Sequence, residues 1–200
     1  MDRIEAFNRA LFLHLNGSAA TPPWLVNTAI GVAEGLIYLI PVLLATLWLW
    51  GGQERRRLAV KACLVTLLAL GANQMIGLAW MHPRPFMLGL GHAWLDHAAE
   101  SSFPSDHATV FAGIGLTLLF GGATRLAAVV LATGAAVAWA RVFLGVHFPL
   151  DMAGAVMVAW VACGVASPLW RAAGEPMVRQ FERLYRALLA RPIAAGWVRP

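Results

Sequence analysis

The chain has 200 residues, 60% of them hydrophobic and 12% charged, with a formal net charge of +5. A charged share near half the usual ~25%, together with a mean hydropathy of +0.67, excludes an ordinary soluble globule and indicates an integral membrane protein. The basic balance does not describe a nucleic-acid partner, because nearly all the cations are arginines at the ends of apolar segments and in the C-terminal stretch, where cytoplasmic membrane flanks carry them.

Residues 4–15 set Ile4, Phe7, Leu11 and Leu15 at helical spacing, the pattern of an amphipathic helix lying in the membrane interface. Asp2 and Glu5 stand where a secretory signal would carry basic residues, which disfavours a cleaved signal peptide. Five stretches, 25–50, 58–80, 104–121, 126–144 and 149–170, are long and apolar enough to cross a bilayer, which takes roughly 17–25 helical residues. The fold class expected is therefore all-α, a membrane helical bundle of about five spans forming one domain over 1–200. Its chemistry lies in a core at 70–160, and a basic cytoplasmic tail follows at 171–200. Within that tail, residues 176–191 interleave Arg179, Arg183 and Arg186 with Val178, Phe181, Leu184 and Leu188, as a basic interfacial helix does. Cys63 and Cys163 lie far apart inside apolar runs and read as small buried hydrophobes, not a disulfide.

Orientation follows from the cations. With the connection at 51–57 cytoplasmic, eleven Lys and Arg fall on that side and four, Arg3, Arg9, Arg84 and Arg141, on the other, a strong positive-inside bias. Alternating spans then bring Arg84, His107, Arg141, His147 and Asp151 to the outer face together.

Charged groups at the edge of a span are costly to place and mark function. In His82-Pro83-Arg84-Pro85 the prolines stiffen Arg84, and an ordered guanidinium suits bidentate phosphate binding. In Phe103-Pro104-Ser105-Asp106-His107 a proline-marked helix start offers unpaired N–H groups of Ser105, Asp106 and His107, plus the Ser105 hydroxyl, to an anion. In His147-Phe-Pro149-Leu-Asp151 a carboxylate four residues on can hold one imidazole nitrogen while the other meets a substrate, as a nucleophile or base. Arg141 adds a phosphate clamp. Asn73 and Gln74 share a face of the second span and carry amides that could donate to a phosphate. Glu34 is a further intramembrane charge, a partner for an arginine or part of the pocket wall. His82, His92, His97, His107 and His147 all lie outward, but their spacings match no zinc pattern and cysteine ligands are lacking.

Arg84-Pro85, Pro104-Ser105-Asp106-His107 and Arg141-Val-Phe-Leu-Gly-Val-His147-Phe-Pro-Leu-Asp151 resemble the three signature motifs of the type-2 phosphatidic acid phosphatase superfamily, over about residues 70–160. Within it, Asn73-Gln74 ahead of His82-Pro83-Arg84-Pro85-Phe86, and Ser102-Phe-Pro-Ser-Asp-His107, resemble the bacitracin-resistance type of undecaprenyl-diphosphate phosphatase. The resemblance implies His147 as nucleophile, Asp151 as its orienter and His107 as acid to the leaving group. It further implies Arg84, Ser105 and Arg141 on the phosphoryl oxygens, no metal or other cofactor, and a polyprenyl diphosphate lipid as substrate. Three positions depart from the family pattern: Gly77 stands in place of a lysine, Ala140 in place of a serine and Asp106 in place of a glycine.

The function expected is hydrolysis of undecaprenyl diphosphate at the outer face of a bacterial cytoplasmic membrane. Its rivals are a phosphatase or phosphotransferase acting on another lipid phosphate, such as phosphatidylglycerophosphate or phosphatidate, and, from another class, a small membrane transporter. Against the transporter stand Pro104 and Pro149, which put the polar residues at span ends, whereas transport sites lie near the midplane.

Overall fold

The apolar stretches form helices throughout the computed structural model, which describes residues 3–200. Asp2, used above in the signal-peptide reading, lies outside the described residues. α1 (Arg3–Leu15) precedes a first span, Pro23–Leu49, built from α2 (Pro23–Ile30), a π-turn at Gly31–Gly35, a 3-10 turn at Leu36–Tyr38 and α3 (Leu39–Leu49). α4 (Gln53–Ala79), α5 (Asp106–Phe120), α6 (Thr124–Phe143), α7 (Pro149–Leu188) and the short α8 (Ala190–Ala194) complete the chain.

Among the described residues four helical stretches are long and apolar enough to cross a membrane: Pro23–Leu49, Gln53–Ala79, Thr124–Phe143 and Pro149–Leu188. The remaining expected span is α5, whose 15 residues reach only about 22 Å at 1.5 Å per residue, short of the ~30 Å hydrocarbon core. α5 tolerates this because it is the enclosed helix of the bundle, packed against α4, α6 and α7. Phe111, Ile114 and Leu118 of α5 join Ala59 and Ala62 of α4 and Val130 and Val137 of α6 in one core. Close approach of α5 and α6 depends on Gly134, where an added Cβ would come within 2.6 Å of Phe111 Cβ. Small residues allow such helix contact where lipid offers no hydrophobic drive. The short α5 starts two residues after Pro104, with Ser105 as its N-cap.

α1 lies against the ends of α6 and α7. The Asn8 side-chain oxygen Oδ1 accepts the Leu150 N–H at 3.1 Å, and the Phe12 ring meets Phe148 edge-on at 5.3 Å. Phe7, from the expected apolar stripe, is exposed, so the helix turns Asn8 and Phe12 inward and leaves that apolar edge outside, as an interfacial helix does.

The basic tail differs from expectation in one respect. It is not a separate helix but the second half of α7, unbroken through Pro168 and Pro176. Glu175 pairs with Arg57 at 2.6 Å and Glu182 with Arg56 at 3.6 Å. Trp48 meets Tyr185 edge-on at 5.9 Å. All three contacts lie at the α3–α4 corner, so the tail packs against that corner. Arg56 is 2% exposed; it donates to the carbonyls of Trp48, Arg199 and Pro200 and lies over the Tyr185 ring at 4.8 Å.

Candidate active site

The polar residues gather at the end of the bundle opposite that corner. Arg84 follows α4 in an extended pre-proline conformation (φ −70°, ψ 158°), and Pro85 opens a 3-10 turn at Pro85–Leu88. This turn drives Arg84 inward, where it is 4% exposed. Nη1 of Arg84 donates to Val146 O at 3.0 Å and lies 3.2 Å from Nε2 of His147. Its Nη2 donates to Glu100 Oε1 and to Ser101 O, both at 3.3 Å.

His147 sits in the tight connection between α6 and α7. Gly145 makes the turn possible with φ +82°, and an added Cβ there would overlap the His92 carbonyl; only glycine meets both demands at no cost. On its far side the His147 ring places Nδ1 3.2 Å from Asp151 Oδ2. That oxygen also accepts the Phe148 N–H at 2.7 Å and the Ser102 hydroxyl. Asp151 is wholly buried in the first turn of α7, where a carboxylate satisfies the free N–H at the helix start.

This geometry selects a tautomer. A guanidinium carries only donors, so the His147 Nε2 facing Arg84 presents its lone pair, and the ring proton resides on Nδ1 toward Asp151. Burial, aided by the charges of Arg84 and Arg141, lowers the His147 pKa to about 4 against the upward pull of Asp151. The imidazole is therefore neutral near pH 7, with its Nε2 electron pair facing Arg84 at the pocket lining.

That pocket, of about 350 Å³, is lined by residues including Asn73, Gln74, Arg84, His107, Arg141 and His147. His107 enters from the first turn of α5 and Arg141 from the last turn of α6. Arg141 is 3% exposed and its Nε has no partner. The carboxylate of Asp106 accepts the Asn73 amide at 2.8 Å and the Gln74 amide at 3.3 Å, and Asn73 also donates to Thr109 at 2.9 Å. The amides considered above as phosphate donors are thus held by α5, and Asp106 serves as their acceptor. Gly77 lines the same wall, with Ser101 where a Cβ would touch at 3.4 Å.

Ser105 lies behind the pocket wall. It is wholly buried with its hydroxyl unpartnered, and its N–H donates to Asp151 O at 3.3 Å, tying the start of α5 to that of α7. That N–H is consequently engaged and not free for an anion. Glu34 is exposed on the π-turn. It is not among the lining residues, although its negative charge acts on Arg141.

Three contributors were not singled out by sequence reasoning. Ser102 is wholly buried beside Asp151, Glu100 pairs with Arg84, and His97 brings its ring centroid to 6.3 Å from that of His147. All three come from the irregular loop after the 3-10 turn, where no periodicity marks an inward side chain. For Ser102 alone a signal existed, its place in the run before Pro104. Among the described residues no three His, Cys, Asp or Glu side chains converge as a metal-ligand set.

The chain is similar to known proteins over most of its length. Residues 58–175 match the model of the PAP2 superfamily. The chain is 36% identical over 196 residues to YbjG of Escherichia coli (strain K12), provisionally named an undecaprenyl-diphosphatase, covering 98% of this chain and 99% of YbjG. It is 27% identical over 188 residues to the undecaprenyl-diphosphatase BcrC of Bacillus subtilis (strain 168), covering 92% and 97% respectively. Among solved structures, the transmembrane PAP2-type phosphatidylglycerolphosphate phosphatase of Bacillus subtilis superposes with a TM-score of 0.61 at 19% identity, over 86% of this chain and 88% of that one; at that identity the likeness speaks for the fold.

Proposed function

This chain belongs to the PAP2 superfamily, and from that premise we propose that it hydrolyses undecaprenyl diphosphate to undecaprenyl phosphate and inorganic phosphate at the outer face of the bacterial cytoplasmic membrane. The observation that carries the chemistry is the 3.2 Å approach of Arg84 Nη1 to His147 Nε2, which leaves that nitrogen an unprotonated nucleophile beside a phosphate-binding cation. The names of YbjG and BcrC support the choice of lipid.

In the first step Nε2 of His147 bonds to the terminal phosphorus as the bridging P–O bond breaks, and His107, which takes up a proton as the diphosphate brings its negative charge into the pocket, gives that proton to the departing oxygen of the lipid phosphate. The Nδ1 proton stays with His147, so the phosphohistidine carries a positive ring that Asp151 stabilises. In the second step neutral His107 takes a proton from water, whose oxygen attacks phosphorus as the P–N bond breaks. Phosphate leaves and both histidines return to their starting forms. Arg84 and Arg141 neutralise charge on the equatorial oxygens. Asp106 keeps Asn73 and Gln74 in the pocket wall, and Ser105 links the two helix starts that carry His107 and Asp151.

The arginine and lysine distribution, eleven against four, supports an outward pocket and a cytoplasmic α7 tail. Leu78, at the pocket lining and 83% exposed, supports entry from the lipid side, with the isoprenoid tail remaining between membrane and α4.

Phosphate release by the purified protein over a panel of polyprenyl diphosphate, phosphatidylglycerophosphate and phosphatidate tests this reading. The highest kcat/KM is expected on the polyprenyl diphosphate, with activity surviving exhaustive chelation. Faster turnover of phosphatidylglycerophosphate would transfer the assignment to that lipid.

A further inference from the structure

We propose that His97 binds the second phosphoryl group of a diphosphate substrate, the one that remains on the lipid, and so sets the preference for diphosphate over monophosphate. This rests on the diphosphatase reading above.

Two phosphoryl groups need two sets of partners. The reacting group is served by His147, Arg84 and Arg141, and His107 serves the breaking bond. A diphosphate brings at least one more ionised oxygen into a pocket that already holds the carboxylates of Asp106 and Glu100. On the α4 wall the Asn73 amide gives both its N–H groups to Asp106 and Thr109, and the Gln74 amide gives one of its two to Asp106. His97 is the remaining lining side chain able to donate to an anion from the loop side. It is carried by irregular chain between the 3-10 turn and α5, is 21% exposed at its side chain, and stands 6.3 Å, ring centroid to ring centroid, from His147. That separation leaves room for phosphoryl oxygens between the two rings, with His97 on the loop side of the pocket.

The imidazole has the right response to an anion. Burial lowers its pKa, and the Arg84 charge lowers it further. Nδ1 lies 3.3 Å from Ala98 O and 3.7 Å from Glu100, so a neutral ring donating there turns its lone pair the other way. An anion that pairs with Arg84 removes the repulsion and adds attraction, favouring the imidazolium, which donates from both nitrogens. A monophosphate, seated at His147 alone, gains little from this group.

The test is the selectivity ratio, kcat/KM for a prenyl diphosphate over that for the monophosphate of the same prenol, in wild type, His97→Ala and His97→Gln. Thermal melting serves as the folding control. The ratio is expected to fall about tenfold in His97→Ala, with the loss in KM for the diphosphate, and to recover in part in His97→Gln, which retains a donor. A ratio unchanged in His97→Ala, whatever the absolute rates, overturns the inference alone. A wild-type ratio near one would instead defeat the diphosphatase reading, and this inference with it.

Discussion

The Ser102 hydroxyl donates to Asp151 Oδ2, the same oxygen that faces His147 Nδ1 at 3.2 Å. The serine is thus a positioning residue for the carboxylate that positions the histidine. Ser102→Ala leaves Asp151 with the Phe148 N–H and His147 as partners, enough to keep α7 started but not to fix the carboxylate plane. The expected result is a kcat about tenfold lower with KM nearly constant, read from steady-state kinetics. A hydrogen bond to a charged group is worth about 1.5–3 kcal/mol, and a tenfold rate corresponds to about 1.4 kcal/mol. An unchanged kcat would assign Ser102 to packing alone.

His147→Ala should abolish turnover and the base-stable, acid-labile phosphoprotein that a rapid alkaline quench traps in wild type. The His147 pKa of about 4 adds a solution signature. Its folded value lies below the ordinary 6.5, so the unfolded chain binds this proton more readily between those limits. The stability it contributes is complete above about pH 6.5 and declines as pH falls toward 4. Nitrogen-15 NMR of labelled histidine should show this ring neutral, protonated at Nδ1, at pH 6. A midpoint near 6.5 would contradict the buried, arginine-flanked site.

Asn73 and Gln74 should behave differently when each is changed to leucine. Asn73 is 3% exposed and bridges α4 to both Asp106 and Thr109, so its loss strands the buried Thr109 hydroxyl, while the exposed Asp106 keeps Gln74. Interhelical bonds in membranes average ~0.6 kcal/mol, whereas a stranded buried polar group costs about 1–3 kcal/mol. Asn73→Leu should therefore lower both thermal stability and activity, while Gln74→Leu, on the exposed side of the same carboxylate, should lower stability little. Equal melting temperatures for the two variants would show that the Asp106 bridge carries no load.

Much of this site was legible before any coordinates. The four-residue step from His147 to Asp151 and the proline-stiffened Arg84 depend on local chain geometry, which spacing encodes directly. The spans were legible because lipid imposes a length and an apolarity. Partnerships across helices were less so. The Asn73 and Gln74 amides could have served a substrate or another helix, and only the rotation of α4 against α5 aims them at Asp106. Ser102, Glu100 and His97 come from chain without periodicity, where the backbone path decides what points inward. The continuity of α7 into the tail escaped notice because Pro168 and Pro176 lie inside that helix without ending it.

Topology is open to direct labelling. Ala99, exposed on the loop beside the pocket, and Ala195, exposed beyond α8, suit single cysteines in a variant lacking Cys63 and Cys163. An impermeant thiol reagent applied to intact cells should label Ala99→Cys and spare Ala195→Cys until the membrane is opened. The opposite pattern would invert the orientation argued from the arginines.

Asp151 has two employers. It anchors the first turn of α7 through the Phe148 N–H at 2.7 Å, and it orients His147. The two uses age differently. A descendant lineage that no longer needed the reaction could replace His147 freely, but replacing Asp151 would also unpin the helix start. Catalytically silent descendants of this architecture should therefore keep the aspartate after the histidine is gone, so an Asp without its His would be the fossil of a former phosphatase.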